Sequence, residues 1–474
     1  MSDAGLAPEP IVFPLRGGRG SIALHAGGFR HPGARHSHED FTAYADLTHW
    51  VSGSRALRFG TRQGLFVLPR NWFVDAAQAD AFQRALFEHV AREPDGAVHL
   101  ARMAEVDALG HEHSSSWASR GIALACLAVY ALEIWIGPAV HHAGFFSALL
   151  ALRGEPWRLL TANLLHADLL HLGVNMIGLL VLGGLVERSL GTGRTIWIAG
   201  LSALGATLAG VLAGYEMLVG ASGIVAGFAA AIVLLEFRFP DRLPVQWRIP
   251  RRLFVLALLA DALLPLVLPF VAGAAHLGGF LAGGLATAIV AAPGLRREPV
   301  MPALRVAVAL VSLVAVASLL SASRLLRGGP AWETHAERLL DLKDTPPLIL
   351  NDAAWLIATG HAPTQQALVD ARELAQRAVD ATAHLDPNLL DTLAEVEFRN
   401  GHADAAIDAI DQAIRLAPDV TYFREQKRRF TGDRAADDRP APPDPFDVPA
   451  PSPRRMPDDE FHRFEVEQDP GIEI

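Results

Sequence analysis

Residues 218–227, LVGASGIVAG, place one hydroxyl, that of Ser222, among glycines inside a long apolar stretch. A second polar residue, His276, lies in another apolar stretch, AHLGGFLAGG. A serine becomes a useful nucleophile when a neighbouring base removes its proton, and an imidazole is the commonest such base. The pair therefore suggests acyl-transfer chemistry at membrane depth. The simpler alternative is that Ser222 is a small residue in a helix contact.

Glycines accompany both polar residues at helical spacing. Gly223 and Gly227 adjoin the serine, and Gly279 and Gly283 follow the histidine. Small residues four positions apart let two helices approach closely. We therefore expect the two stretches to pack as helices and to bring the hydroxyl within hydrogen-bond distance of the imidazole.

Two more polar residues, His171 and Asn175, are four positions apart in a third apolar stretch, so they share one helix face. Polar residues inside a span are costly, and each needs a partner or a function. This pair either bonds one helix to another or belongs to the site of the serine. Glu133 and Asp261 are further acids in apolar stretches, and the sequence assigns a partner to neither.

The elements that carry these residues are read from the apolar stretches of the 474-residue chain. Several approach the roughly 20 residues that a helix needs to cross about 30 Å of hydrocarbon. The stretches are 121–140, 168–187, 195–213, 219–235, 253–271, 275–292 and 303–320. The predicted fold class is mainly α: a polytopic helical membrane protein of six spans plus a seventh, with a small N-terminal α+β domain and a C-terminal helical-repeat domain.

Arginines in the short connecting segments favour an N-terminus on the inner side of the membrane, because positive charge is enriched there. The chain does not open on a basic segment followed by an apolar core, so we expect no cleaved signal peptide. The expected location is a bacterial inner membrane with the N-terminus in the cytoplasm. Arg324 and Arg327 would also prefer the inner side, which leaves the seventh span and the side of the C-terminal domain open.

Soluble segments flank the predicted membrane domain, 120–322. Residues 1–95 combine short β-like runs with the helix DAAQADAFQRALFEHVAREP and loosely resemble a pleckstrin-homology-like domain; a generic α+β domain is the alternative. Residues 331–430 resemble tetratricopeptide repeats, since small residues in LDTLAEVEFRNGHADAAIDAIDQAIRLAP recur at helix–turn–helix spacing. We expect a linker at 96–119 and a disordered tail at 431–474.

Composition argues against several other functions. The net charge of −10 comes without a basic field, so no nucleic-acid partner is expected. The single cysteine, Cys126, allows no intrachain disulfide. The histidines lack the HExxH arrangement, and we expect neither a metal nor another cofactor.

Three blocks, in order, resemble the motifs of rhomboid intramembrane serine proteases over roughly residues 150–292. The first is WRLLTANLLHADLLHLGVNMIGLLVLGGLVERSLGTGR, which begins with Trp157 and Arg158. The second is GASG at 220–223, which resembles the family's Gly-x-Ser-Gly, and the third is AHLGGFLAG at 275–283. A lone Gly-x-Ser-Gly would carry little weight, but here each block falls in the corresponding predicted span.

The resemblance implies a catalytic dyad, with Ser222 as nucleophile and His276 as base. The span that contains His276 has no Asp or Glu near it, which fits a dyad. It also implies that His171, Asn175 and the backbone N–H of Ser222 stabilise the oxyanion. The other motif residues would give structural support: Trp157, Arg158, His166, Glu187, Gly220, Gly223, Gly279 and Gly283. A role in handling water is equally open for His166.

The chain departs from the family pattern at three positions. Many members carry a tyrosine that stacks on the catalytic histidine, four residues after the serine, where this chain has Ala226. Gly273 replaces an asparagine that some members carry three residues before that histidine, and Ala162 replaces a histidine four residues before His166. The missing tyrosine puts the positioning of His276 in question.

We therefore expect an intramembrane serine endopeptidase that cleaves a transmembrane segment of another protein near the outer surface, at a helix-breaking stretch of small residues. The alternative is a non-catalytic rhomboid-like adaptor that binds client helices, although such a protein has no physical need for both Ser222 and His276. The lipid bilayer is a partner in either case. The tetratricopeptide-like domain would recruit a protein partner.

Overall fold

The computed structural model describes the chain in these segments: 9–32, 39–62, 64–111, 116–215, 217–267, 271–292, 294–295, 301–328, 330–360 and 363–440. They divide into two compact units. The first comprises Met1–Ala131 and Phe145–Ser318, and the second comprises Leu132–Gly144 and Leu319–Ile474.

The N-terminal part of the first unit is built from two antiparallel sheets and a helix. The sheets have the orders β1-β2-β3-β4 and β5-β6-β7. Their strands are Ile11–Pro14, Ser21–His25, Gly28–Pro32, Glu39–Ala43, Leu47–Ser52, Ala56–Thr61 and Leu65–Pro69. Helix α1 (Ala76–Arg92) buries one face, as the apolar spacing predicts: Ala79, Phe82, Leu86 and Val90. The pleckstrin-homology-like assignment stays a prediction.

The segment that follows is not a linker throughout. Residues Gly96–His111 form helix α2. Met103 is 1% exposed and joins the same core as Phe82, and His99 Nε2 lies 2.7 Å from the carbonyl oxygen of Leu47. The prediction of a linker over 96–119 is therefore wrong for α2, which contributes an apolar face to the domain.

The membrane region of the first unit is helical. Its helices are α3 (Trp117–Ile136), α7 (Leu169–Gly178), α8 (Gly184–Leu190), α9 (Thr192–Leu212), α10 (Ser222–Arg238), α11 (Arg251–Val267), α12 (Gly273–Val290) and α13 (Pro302–Leu325), and the last residues of α3 and α13 belong to the second unit. A π-helical segment, Leu179–Gly183, joins α7 to α8. The loop after the first span contains the short helix α4 (Ala139–Gly144), which belongs to the second unit, and the short helices α5 (Ala148–Leu152) and α6 (Arg158–Thr161), which belong to the first.

Among the described residues, 5 helices are long and apolar enough to cross a membrane: Trp117–Ile136, Leu169–Leu190, Thr192–Leu212, Gly273–Val290 and Pro302–Leu325. Helices α10 and α11 are also apolar, with 17 residues each. The protein is thus a multi-pass integral membrane protein. The predicted fold class, mainly α with a small N-terminal sheet domain and a helical C-terminal region, is confirmed.

The N-terminal domain contacts the loop that joins α10 to α11. His49 Nε2 lies 3.2 Å from Oε1 of Gln246, and Arg62 pairs with Asp241 at 3.4 Å. Burial lowers the pKa of His49, so its imidazole is neutral near pH 7 and its Nε2–H donates to the amide oxygen. The domain therefore lies on the same side of the membrane as this loop.

The C-terminal part of the second unit is a succession of helices: α14 (Pro330–Leu340), α15 (Pro347–Thr359), α16 (Gln365–Ala381), α17 (Pro387–Arg399), α18 (Ala403–Leu416) and α19 (Thr421–Phe430). From α14 onward, each helix packs against its neighbour in sequence, and α15 also packs against α4. This is the packing that helix–turn–helix repeats require. The tetratricopeptide assignment stays a prediction.

The expected disordered tail begins later than predicted. Arg429 donates to the carbonyl of Ala436 at 2.9 Å, and Arg439 donates to Oε1 of Glu395 at 2.7 Å. Residues 431–440 are thus held against α17 and α19 by charged hydrogen bonds that composition alone does not reveal. The rest of the predicted tail, 441–474, lies outside the described residues.

A buried carboxyl group links α17 to α19. Oδ2 of Asp391 accepts the Tyr422 hydroxyl proton at 2.9 Å, and Oδ1 accepts from Nε2 of Gln426 at 3.1 Å. Burial raises the pKa of Asp391 to about 7, because the low-dielectric interior disfavours its charged form.

We expect the C-terminal helices to lose stability as the pH rises from about 4 to about 7. In that window the folded protein keeps the Asp391 proton, whereas an unfolded aspartate has released it, so folding takes up a proton. The loss is about 1.4 kcal/mol per pH unit for one proton. Hydrogen exchange of α17 in the full chain, corrected for intrinsic exchange rates, measures it. Asp391→Asn should remove this slope, and an unchanged slope in that variant would contradict the assignment.

Candidate active site

A glycine turn places Ser222. Gly220 has a φ of +118°, which residues other than glycine rarely adopt. Its N–H donates to the carbonyl of Ala162 at 2.9 Å. A Cβ at position 220 would lie 2.7 Å from Cε1 of His171. The position therefore requires glycine for its backbone conformation and for the close approach of the ring. Ser222, two residues on, is the first residue of α10.

Helices α10 and α12 touch along their glycines. A Cβ at Gly279 would collide with the backbone of Gly223, and one at Gly283 would collide with Cα of Gly227. Side chains at these positions would push the two helix axes apart. The expected close approach of these two spans is therefore present.

Two polar side chains face each other across this helix contact. His276 Nε2 lies 2.9 Å from Oγ of Ser222. When the imidazole proton is on Nδ1, the ring accepts the serine hydroxyl proton at Nε2. This is the arrangement that a general base and its nucleophile need. The catalytic roles of the two residues stay a prediction.

The other imidazole nitrogen also has a partner. His276 Nδ1 lies 2.7 Å from Oδ1 of Asp261, which belongs to α11. In the sequence Asp261 has no evident partner, and the span of His276 itself contains no acid near that residue. A carboxylate 15 positions earlier, on the preceding helix, was missed because spacing within one helix cannot reveal it.

His171 and Asn175 lie on α7, whose start is fixed by Asp168. The Asp168 carboxylate accepts the backbone N–H of His171 at 2.7 Å. The His171 ring then lies against Gly220, next to the serine. Asn175 is buried, and its Nδ2 donates to the His171 carbonyl at 2.9 Å within the same helix. The structure thus brings His171 to the glycine turn that precedes Ser222. Asn175, in contrast, donates one amide hydrogen to a carbonyl of its own helix.

His166 is buried beside His171, with ring centroids 5.1 Å apart. Neither ring nitrogen of His166 has a hydrogen-bond partner among the described residues. Two roles of His166, the support of His171 and contact with water, therefore both stay open.

Although several histidines lie in this region, no group of three or more His, Cys, Asp or Glu side chains in the described segments is arranged to hold a metal ion.

Buried polar bonds hold the loop before α7. The Arg158 side chain is fully buried; its Nε donates to Oε2 of Glu155 at 2.6 Å, and its Nη1 donates to the carbonyl of Phe145 at 2.8 Å. Trp157 precedes α6, and its carbonyl accepts the hydroxyl proton of Thr161 at 3.2 Å. A buried charge needs such partners. The support roles of Trp157 and Arg158 stay a prediction.

Glu187 ties the second span to the start of the first. Its carboxylate accepts the backbone N–H groups of Ala118 at 2.9 Å and Ser119 at 3.0 Å. It also accepts the hydroxyl proton of Thr192 at 2.7 Å. The first-turn N–H groups of a helix lack acceptors within the helix and carry partial positive charge, so a carboxylate there is stabilising.

A cavity of about 30 Å³ adjoins Ser222 and is lined in part by Asn163 and Thr207. That volume suffices for one water molecule. The Asn163 amide donates to the Leu159 carbonyl at 3.2 Å. These two polar residues could not be assigned to the site from the sequence, because nothing in their spacing relates them to the serine.

Comparison with protein families identifies the membrane region. The family model of the Rhomboid domain matches residues 153–293, a range that contains Ser222, Asp261 and His276. The chain therefore carries a rhomboid domain, and the family assignment made from the three sequence blocks is confirmed. The rhomboid family is of the intramembrane-protease type, and it also includes inactive members. A search of curated proteins gave no match.

The close contact between the glycines of α10 and α12 predicts that an added methyl group there lowers the stability of the membrane domain. Gly279→Ala should destabilise the membrane domain by about 1–3 kcal/mol, because its new methyl group collides with the backbone of Gly223 rather than with a side chain that can move. Unfolding of the full chain in detergent measures the change. Gly284→Ala on the same helix is the matched control, since its Cβ would lie 3.6 Å from that of Ala230, an ordinary contact. Equal effects of the two substitutions would contradict the prediction.

Proposed function

We propose that this protein is an intramembrane serine endopeptidase that cleaves transmembrane segments of other membrane proteins. The observation that carries the proposal is the 2.9 Å separation of His276 Nε2 and Ser222 Oγ within a rhomboid domain. Neither side chain needs the other for packing, since glycines make the helix contact. A hydroxyl and an unprotonated imidazole nitrogen at this distance are a nucleophile with its base.

The proposed reaction begins at Ser222 Oγ. Oγ attacks the substrate carbonyl carbon while its proton passes to Nε2 of His276. When the peptide C–N bond breaks, Nε2 returns that proton to the leaving nitrogen, which leaves an acyl group on Oγ. A water molecule then attacks the acyl carbon with the imidazole again as base, and this step releases the new carboxyl group and restores Oγ–H.

The developing oxyanion needs donors on the side of the carbonyl that faces the protein. Ser222 is the first residue of α10, so its N–H lies in a first turn whose N–H groups have no acceptors within the helix. His171 is held beside this turn by Gly220. We assign the oxyanion to these two groups first. Asn175 joins them through the amide hydrogen that it does not donate to the His171 carbonyl.

The proposal also sets the side of the membrane on which cleavage occurs. With the N-terminal domain and the α10–α11 loop on the inner side, Ser222 at the start of α10 and His276 near the start of α12 lie at the outer ends of their helices. The substrate is then cut near the outer surface.

The small cavity beside Ser222 supports a hydrolytic rather than a purely binding role. Hydrolysis consumes water in a region surrounded by apolar side chains. The cavity has the volume for one water next to the nucleophile, with Asn163 and Thr207 in its wall.

Cleavage of a single-span reporter in vesicles tests the proposal. The reporter should carry a glycine-containing segment near its outer end, and each of its two soluble ends should carry a tag. We expect Ser222→Ala and His276→Ala each to reduce cleavage below detection, because each removes one of the two reacting groups. Expression and the unfolding temperature in detergent should not change.

Labelling by a fluorophosphonate gives an independent readout that needs no substrate. We expect labelling that disappears in Ser222→Ala. Ser312→Ala is the matched control, because this serine of α13 donates only to the carbonyl of Val308 in its own helix, at 2.9 Å. Cleavage that persists in Ser222→Ala would contradict the proposal. A wild-type chain that neither cleaves nor is labelled would favour the non-catalytic adaptor.

A further inference from the structure

We propose that Asp261 is a positioning residue that completes a Ser–His–Asp arrangement, so that this rhomboid domain works with a supported histidine rather than a dyad; this inference rests on the proposed function. The carboxylate Oδ1 lies 2.7 Å from Nδ1 of His276, and the opposite nitrogen of the same ring lies 2.9 Å from Ser222 Oγ. Three groups on three helices are thus connected in the order that acid, base and nucleophile require.

The face of α11 that carries Asp261 is turned toward α12 by packing. Pro265, four residues after Asp261, shares that face. A Cβ at Gly273 of α12 would lie 2.6 Å from Cγ of Pro265, so the two helices approach closely there only because position 273 is glycine. The contact between Pro265 and Gly273 therefore holds the carboxylate within reach of the imidazole.

The chemistry of the pair matches what His276 has to do. A neutral imidazole carries its proton on one of two distinct nitrogens, and the hydrogen bond that one nitrogen makes decides which of them is protonated. Asp261 accepts the Nδ1 proton and so leaves Nε2 unprotonated toward the serine. When Nε2 takes the serine proton, the ring becomes a cation next to a carboxylate, which lowers the cost of that charge in an apolar region. In the proposed step the proton on Nδ1 stays on the ring and does not pass to Asp261.

The carboxylate also compensates for a missing ring. Ala226 occupies the position at which many rhomboid proteases carry a tyrosine that stacks on the histidine. None of the ring contacts in the described segments involves His276, whereas the neighbouring His166 and His171 contact each other. The hydrogen bond to Asp261 fixes the orientation of the imidazole in place of a stacked ring.

A purely structural tie between α11 and α12 makes a different prediction from a positioning role. As a tie, Asp261 would influence stability and leave the chemical step alone. As a positioning residue, it sets the tautomer of His276 and lowers the barrier of the step in which Ser222 loses its proton. Measurements of kcat, of KM and of the response to an added carboxylate therefore distinguish the two roles.

The experiment compares Asp261→Asn, Asp261→Ala and Asp261→Glu in the full chain, with the vesicle reporter and the fluorophosphonate. In Asp261→Asn an amide hydrogen faces Nδ1 and places the ring proton on Nε2, so we expect kcat to fall about 100-fold or more while KM stays within about twofold. Asp261→Glu should retain more activity than Asp261→Ala. Because the Asp261 side chain is 44% exposed, added formate should raise the kcat of Asp261→Ala but not that of wild type.

Glu133→Gln is the matched control, since this acid lies at the end of another span and pairs with His141 at 3.2 Å rather than with the site. It should leave kcat unchanged. A kcat of Asp261→Asn within about threefold of wild type would overturn the inference and leave the proposed function intact. A loss that neither glutamate nor formate relieves, accompanied by a lower unfolding temperature, would show a structural tie and overturn it as well. A wild-type chain without Ser222-dependent cleavage would overturn both.

Discussion

The backbone contact between α10 and α12 is the constraint on which the site depends. Ser222 and His276 are 54 positions apart, and each stands one turn or less from a glycine at which the two helices touch. Because Gly223 meets Gly279 with no side chain between them, the two polar groups reach hydrogen-bond distance. A packed interface holds such a geometry better than a loop could, since the interior of a protein yields little to displacement.

Two buried charges of the membrane region, Arg158 and Glu187, are each bonded to groups that offset the cost of burial. Arg158 is bonded to Glu155 in the loop before α7, and Glu187 caps the first turn of α3. These two act on the framework, because they join elements at the ends of spans. Asp261 differs, since its partner is an imidazole that also contacts a hydroxyl. Burial without compensation would cost several kcal/mol per charge.

The sequence predicts the framework of the site better than its details. The motif blocks and the spacing of the glycines were enough to predict the approach of α10 to α12. The partnership of Asp261 was not predictable, because it depends on how α11 is rotated about its axis, and that rotation follows from the packing of Pro265 on Gly273. Helix α2 was missed for a similar reason, since its apolar face is completed by strands of another segment.

The hydrogen bond between Asp261 and His276 offers one explanation for two departures from the family pattern, Gly273 and Ala226. Gly273 stands where some rhomboid proteases have asparagine, and any larger residue there would displace Pro265 and with it the carboxylate of Asp261. Ala226 removes a ring that would otherwise support the histidine. A chain that supports His276 by a hydrogen bond needs a close α11–α12 contact more than it needs an aromatic ring on α10. The glycine and the alanine are therefore consistent with a single change in how the base is held, from stacking to a charged hydrogen bond.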